Sequence, residues 1–379
     1  MNQHKPKILV FYDYFDPAYK AGGPIRSIVN LVRYMEDEID FYIIAGNTDH
    51  DGTVLEVESD VWLSYGKSSK VAYLRPASRN LTFVQSLIED IPINLIYVNG
   101  IYSPFTTILP LRLAKKWKKK VAIAPRGMLQ KTSRSIKPIK KWFYLFALRK
   151  LLIPGSVQWQ VTTQQEFDDL VDWWPVLKRR TKLIGNVPHF SPLLNRNTEK
   201  KEVIKFGTVA LISPMKNIHL VLDAMNEIKV PVKYHIYGPI KDREYWEQCQ
   251  KLINKLPVHI QFTHHGAIPP PDTEKVIRDF HFYIQPSRSE NFGHSIFEAF
   301  NQGVPVIISD QTPWRNLATK KAGWDVSLKG EELLKAIRQA IEMQENEYRE
   351  WRKGARKIAE NYMSESHLKN KYLDLFQDR

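Results

Sequence analysis

Glu290 and Glu298 form a Glu-x7-Glu pair in the stretch FYIQPSRSENFGHSIFEAFNQGVPVIISD, residues 282–310. Helical periodicity begins near His294, so the unpaired amides of a first helical turn, those of Phe292, Gly293 and His294, fall between the two acids. Such amides and the helix dipole favour phosphate, and Gly293 lets an anionic group approach the backbone closely. The carboxylates repel phosphate and are suited instead to accepting hydrogen bonds from hydroxyls. A ligand that answers both demands carries phosphate and many hydroxyls, as a nucleotide sugar does. His294 suits donation to a phosphate or a sugar hydroxyl, with simple helix capping as the other reading.

These residues need elements to hold them. The apolar run Phe282 to Ile284 stops at Pro286, and a second strand, Val304 to Ser309, follows Gly303, which predicts strand, loop, helix, strand. Open α/β sheets bind ligands at the carboxyl ends of their strands, where this loop falls. The arrangement recurs at the start of the chain. There the strand KILVFY (7–12) leads through DYFDPAYKAGGPIRS, hinged at Gly22 and Gly23, into a helix from about Pro24 to Met35 with Arg26 in its first turn. It recurs in VALISPMKNIHLVLDAM, where Lys216 precedes a helix, and where the strand Val121–Ala124 runs into PRGML. The fork of Arg126 in that segment suits phosphate or an acidic acceptor. Gly238-Pro239 and HHGAI (264–268) follow further strands, and His264 and His265 read as loop residues rather than ligands. Asp49 and Asp51 spell an Asp-x-Asp beside His50 and Gly52, which reads as a structural turn; no metal is expected.

SENFGHSIFEA with its two glutamates, followed by GVPVIISD and TPWRNL, resembles the donor site of the family 4 retaining glycosyltransferases, the group 1 type of bacterial polysaccharide synthesis. The resemblance implies the GT-B fold, an α/β architecture of two doubly wound Rossmann-like domains facing across a cleft. It implies that Glu290 contacts the transferred sugar, Glu298 the ribose, and the intervening amides the diphosphate and sugar. AGGPIRSIVNLV resembles the family's first loop, which turns Gly22, Gly23 and Arg26 toward the donor phosphates. Lys216 matches the family lysine that contacts the diphosphate. Five residues earlier the family usually has an arginine, and this sequence has Leu211; Arg26, Arg126 and Arg288 are the candidates to replace its charge. QKTSRSIKPIKKWFYLFALRKLL resembles the basic acceptor-side helix of membrane-associated members, with Arg126 and Lys131 as acceptor-side candidates. TPWRNL resembles the segment packed behind the site, with Trp314 and Trp324 as core.

At 379 residues the chain exceeds what one core usually serves, and 43% hydrophobic content lets it bury two. Strands predicted at Asp40–Ile44, Val71–Leu74, Leu95–Val98, Val121–Ala124, Val157–Val161 and Lys182–Ile184 alternate with helical segments, as do Ile204–Val209, Lys233–Tyr237 and Ile260–Phe262. Residues 185–203 lose periodicity and read as a linker. An N-terminal acceptor-side domain over 1–185 and a donor-binding domain over 186–363 are expected, with the last helix, 364–379, returning to the first as the resemblance implies. No run of eighteen apolar residues and no N-terminal h-region occur, so a cytoplasmic protein, peripheral at the inner face of the membrane, is expected. One cysteine, Cys249, leaves no disulfide framework.

The net charge is +14, and Arg112 to Lys150 holds fourteen basic residues and no acidic one. Trp117, Trp142, Phe143, Tyr144 and Phe146 interleave with that charge and fit an anionic membrane surface; a solvated basic face is the other reading. None of the recognised nucleic-acid modules is present, so nucleic acid is not expected as a partner. The expected activity is transfer of a sugar from a UDP- or GDP-type donor to a hydroxyl acceptor with retention, without a cofactor. The acceptor would be a lipid-linked saccharide of capsule, O-antigen or exopolysaccharide assembly. Leu211 motivates the alternative, a non-catalytic GT-B protein that binds nucleotide sugar or a partner.

Overall fold

The computed structural model describes residues 5–20, 22–130, 138–152, 155–193 and 203–377, and Lys131 lies outside them. The chain divides into two compact units, Met1–Val187 with His367–Arg379, and Pro188–Ser366.

The first unit contains strands β1 (Lys7–Phe11), β2 (Asp40–Gly46), β3 (Trp62–Tyr65), β4 (Ser69–Leu74), β5 (Leu95–Asn99), β6 (Lys120–Ala124), β7 (Val157–Val161) and β8 (Thr181–Leu183). They form one sheet in the order β3-β4-β2-β1-β5-β6-β7-β8, parallel throughout except for the β3–β4 pair. Helices cover both faces of such a sheet, so its central strands read as continuous apolar runs, ILVF in β1 and LIYV in β5. The helix Leu368–Gln377 belongs to this unit, setting Phe376 against Phe41 and Tyr97.

The second unit contains β9 (Ile204–Val209), β10 (Val232–Tyr237), β11 (Ile260–His264), β12 (Phe282–Gln285), β13 (Val306–Ser309) and β14 (Gly323–Val326). Their order is β11-β10-β9-β12-β13-β14, all parallel. Strand order therefore reverses between β9 and β12, as it does between β1 and β5 in the first unit. Loops leaving the carboxyl ends of such a strand pair diverge to opposite faces and leave a crevice between them.

Two strands differ from the sequence expectation. Strand β3 is short, partly exposed and antiparallel at the sheet edge, so no long apolar run marks it. Strand β14 holds only GWDV, and its Asp325 is turned to the backbone amides of Asn316 and Leu317, at 3.1 and 2.8 Å.

Candidate functional site

The loops after β9 and β12 are stitched together at the reversal of strand order. Asn217 adopts a left-handed backbone, φ 51°, between the turn Pro214–Lys216 and the helix Ile218–Asn226. Its Nδ2 donates to the Pro286 carbonyl at 2.9 Å, and its Oδ1 accepts from Arg288 Nε at 3.1 Å. The Arg288 amide in turn donates to the Met215 carbonyl at 2.8 Å. This stitching brings Lys216 Nζ onto Glu290 Oε1 in an ion pair whose side chains are 19% and 13% exposed. Such a pair is shielded from water, so removing one partner would leave a largely buried charge uncompensated.

Glu290 is held from behind. Its Oε1 also accepts from Gln285 Nε2 and Ser287 Oγ, each at 2.8 Å, and its amide donates to the Gln311 carbonyl at 3.0 Å. The Tyr283 hydroxyl lies 3.1 Å from the Val209 carbonyl and 2.8 Å from Ser295 Oγ, which is itself 3.2 Å from Gln285 Oε1. Burial pushes the Tyr283 hydroxyl pKa well above the ordinary phenol value, so it remains a neutral member of this network. Tyr283, Gln285, Ser287, Ser295 and Asn217 were not singled out from the sequence. The available signal was polar residues ending a buried strand: Gln285 and Ser287 are 1% and 0% exposed.

Gly293 precedes the helix His294–Asn301 with φ 77°, and its carbonyl accepts the first helical bond, from the Phe297 amide at 2.9 Å. The ring of Phe292 is committed to the core, packed on Phe297, Trp314 and Tyr362, and its carbonyl accepts from Trp314 Nε1 at 2.7 Å. What Phe292 can offer a ligand is therefore its backbone. His294 and Glu298, four residues apart on one helix face, are both buried. Farther along the sheet, the Gly238 amide donates to the Gly266 carbonyl at 2.7 Å, and the His265 ring stacks on Tyr237 with centroids 4.2 Å apart. Beneath it, burial and the neighbouring Lys205, His265 and Lys233 hold His235 down to about 4, so this imidazole is neutral at neutral pH.

In the first unit, Gly22 caps the helix Gly23–Met35 with φ 79°, and Arg26 lies in that helix's first turn. Arg126 sits in a left-handed turn, φ 54°, after β6. Its Nε and Nη2 donate to Asn99 Oδ1 at 3.1 and 2.9 Å, Nη2 also donates to the Tyr97 hydroxyl at 2.9 Å, and Nη1 donates to Asn186. The fork expected to meet a phosphate or an acidic acceptor is thus engaged by the fold. A further carboxylate, Asp13, follows β1 beside the reversal of strand order, bonded by Ser103 Oγ at 3.0 Å and Thr106 Oγ1 at 3.4 Å; burial raises its pKa. Asp49 accepts from the amides of Tyr19, Lys20 and His50, which makes it the anchor of a turn.

The whole architecture has solved counterparts. HepE of Anabaena, solved in complex with UDP and glucose, is similar over 99% of this chain and 100% of that one, with a TM-score of 0.72 at 14% identity. Sucrose-phosphate synthase of Thermosynechococcus elongatus is similar over the same shares, with a TM-score of 0.75 at 16% identity. The fold is GT-B. Within it, residues 192–358, nearly all of the second GT-B unit, match the family model described as glycosyl transferases group 1. An uncharacterized glycosyltransferase of Sulfolobus islandicus rod-shaped virus 1 is 25% identical over 199 residues, 44% of this chain. The chain spans 56% of that relative's length. The family match thus falls within the second unit, and the solved counterparts show the fold.

Proposed function

We propose that the protein moves a sugar from a nucleotide-diphosphate donor to a hydroxyl acceptor with retention of anomeric configuration. The observation that carries this reading is the convergence of Lys216 and Glu290 where strand order reverses between β9 and β12, on the loop that leads into Gly293 and its helix. The chemical difficulty is expelling a nucleotide diphosphate as an oxocarbenium-like centre develops. Lys216, the amides at 292–294 and the helix dipole answer the leaving charge. Glu290, fixed by Gln285 and Ser287, accepts from sugar hydroxyls and orients the anomeric carbon rather than acting as a base. Glu298 accepts from the ribose. The departing phosphate takes the acceptor's proton. Before the donor arrives, Lys216 and Glu290 neutralise each other; in the donor complex their partners become phosphate and hydroxyl. The acceptor in this reading is a lipid-linked saccharide of cell-surface polysaccharide assembly, taken by the first unit, and UDP is the first nucleotide to try because HepE was solved with it.

Leu211 favours a second reading, a nucleotide-sugar-binding protein without turnover. The test pairs a thermal-shift screen of UDP- and GDP-sugars with transfer assays on a panel of saccharide acceptors. A donor that raises Tm and is transferred by wild type, with transfer lost in Glu290→Ala, is the expected result. Undiminished transfer by Glu290→Ala would overturn the assignment, and donor binding without turnover on any acceptor would favour the second reading.

A further inference from the structure

The amide of Gln285 can face Glu290 in one sense only. A carboxylate accepts hydrogen bonds and never donates them, so Gln285 must turn Nε2 toward Glu290 Oε1, 2.8 Å away, and its own Oε1 to the opposite side. There the Tyr283 hydroxyl donates to it, and Ser295 Oγ lies 3.2 Å from it. Nε2 also donates to Ser287 Oγ at 3.2 Å, and Ser287 Oγ donates on to Glu290 Oε1 at 2.8 Å. Gln285, Tyr283 and Ser287 are almost completely buried, so water cannot supply what a reversed amide would lose.

Lys216 Nζ reaches the same oxygen of Glu290. Among the described residues, the side-chain donors to Glu290 therefore all engage Oε1, which leaves Oε2 to a ligand. The sense of the Gln285 amide is set from three elements at once. Tyr283 lies on β12, its hydroxyl is 3.1 Å from the carbonyl of Val209 at the end of β9, and Ser295 is the second residue of the helix that carries Glu298. We propose that Gln285 is a positioning residue for the transferred sugar: held in one sense by Tyr283 and Ser295, its amide fixes Glu290 through Oε1 and so presents Oε2 to a sugar hydroxyl. This role rests on the reading of Glu290 as the group that meets the sugar. It carries a distinction of its own: disturbing Gln285 harms recognition of the sugar and spares that of the nucleoside diphosphate.

The test is calorimetric binding of UDP-glucose and UDP, with GDP-mannose and GDP as a second pair, to the full chain at about pH 5.5 and about pH 8. In Gln285→Glu the new carboxyl lies against Glu290, and Lys216 can neutralise one carboxylate but not two, so the pair keeps a proton at the lower pH. That proton lets the new side chain donate to Glu290 as the amide did; as pH rises and the proton leaves, the two repel. At about pH 8 the variant should bind the sugar nucleotide about tenfold or more weakly than wild type, and at about pH 5.5 recover most of the loss. It should bind the nucleoside diphosphate within about threefold of wild type at both. Tyr283→Phe keeps the ring and should weaken sugar-nucleotide binding about threefold to tenfold, yet add nothing in a Gln285→Leu background, because the hydroxyl acts through the amide. If Gln285→Glu shows no thermal unfolding transition, the Tyr283→Phe cycle decides alone. In folded variants, equal loss of sugar nucleotide and nucleoside diphosphate, binding by Gln285→Glu that is indifferent to pH, or additive effects in the cycle overturn the proposal. A wild type that binds neither sugar nucleotide sinks the donor-site reading itself, and the proposal with it.

Discussion

At the residue scale, the proposed transfer calls for a second cation near Lys216, where Leu211 carries no charge. Arg126 is engaged by Asn99, Asn186 and Tyr97 and answers to its own unit. Arg288 is placed differently: its amide is fixed by Met215 and its Nε by Asn217, the residue next to Lys216, while its side chain remains exposed. A planar guanidinium tethered through one nitrogen still presents further donors to a diphosphate. Arg288→Ala should therefore lower kcat/KM by roughly 10- to 100-fold, with a smaller loss in donor affinity, since its charge matters most as the leaving group departs. Steady-state kinetics beside calorimetric donor binding separates the two effects. An unchanged kcat/KM would remove Arg288 from the site. Lys216 and Glu290 were each legible as the polar end of a strand-loop-helix unit; their meeting was not, because they lie 74 residues apart and only the placement of β9 next to β12 joins them.

At the element scale, the helix His294–Asn301 depends on how the chain enters it. Gly293 holds φ 77°, and a Cβ there would come within 2.8 Å of Ile296 Cδ1. Gly293→Ala should cost about 1–2 kcal/mol in backbone strain and turn the first amides away from their present direction. For a unit of this size that is a fall in Tm of roughly 2–8 °C, together with at least about a tenfold rise in donor Kd. Differential scanning calorimetry with and without donor measures both, and a variant with wild-type donor affinity would separate this turn from phosphate binding. The same scale shows why parts of the fold could be read from composition and parts could not. Parallel strands covered on both faces, such as β1, β5 and β13, must be apolar throughout and so announce themselves. Strand β3 is wetted at an edge, and β14 carries Asp325 as a turn acceptor, so neither needed an apolar run. The network behind Glu290 was hidden for the opposite reason. Gln285 ends an apolar strand and Ser287 follows Pro286 in the loop, and only their partners reveal that they fix a carboxylate.

At the scale of the whole molecule, the first unit is built from two separated lengths of chain, and the last helix completes it. Tyr372, Leu375 and Phe376 are buried in the helix Leu368–Gln377. The Tyr372 hydroxyl donates to the Gly185 carbonyl at 3.1 Å and accepts from Gln160 Nε2 at 3.0 Å. Gln160, fully buried on β7, also donates to the Ile184 carbonyl at 2.9 Å and accepts from the Tyr97 hydroxyl, which in turn receives Arg126. This chain of bonds runs from the closing helix to the carboxyl ends of the central strands, and its Tyr97, Gln160 and Tyr372 side chains are fully buried. Removing one hydroxyl leaves polar partners buried without compensation. Tyr372→Phe keeps the ring and should cost about 1–3 kcal/mol, whereas Tyr372→Ala also opens a cavity and should cost about 3–5 kcal/mol. Because these contacts all belong to the first unit, the loss should appear in its unfolding, followed by hydrogen exchange of β5 and β7 amides, while β9 and β12 keep their protection. Equal loss of protection in β9 and β12 would show instead that the two units unfold as one cooperative body, and the closing helix would then stabilise the second unit as well as its own.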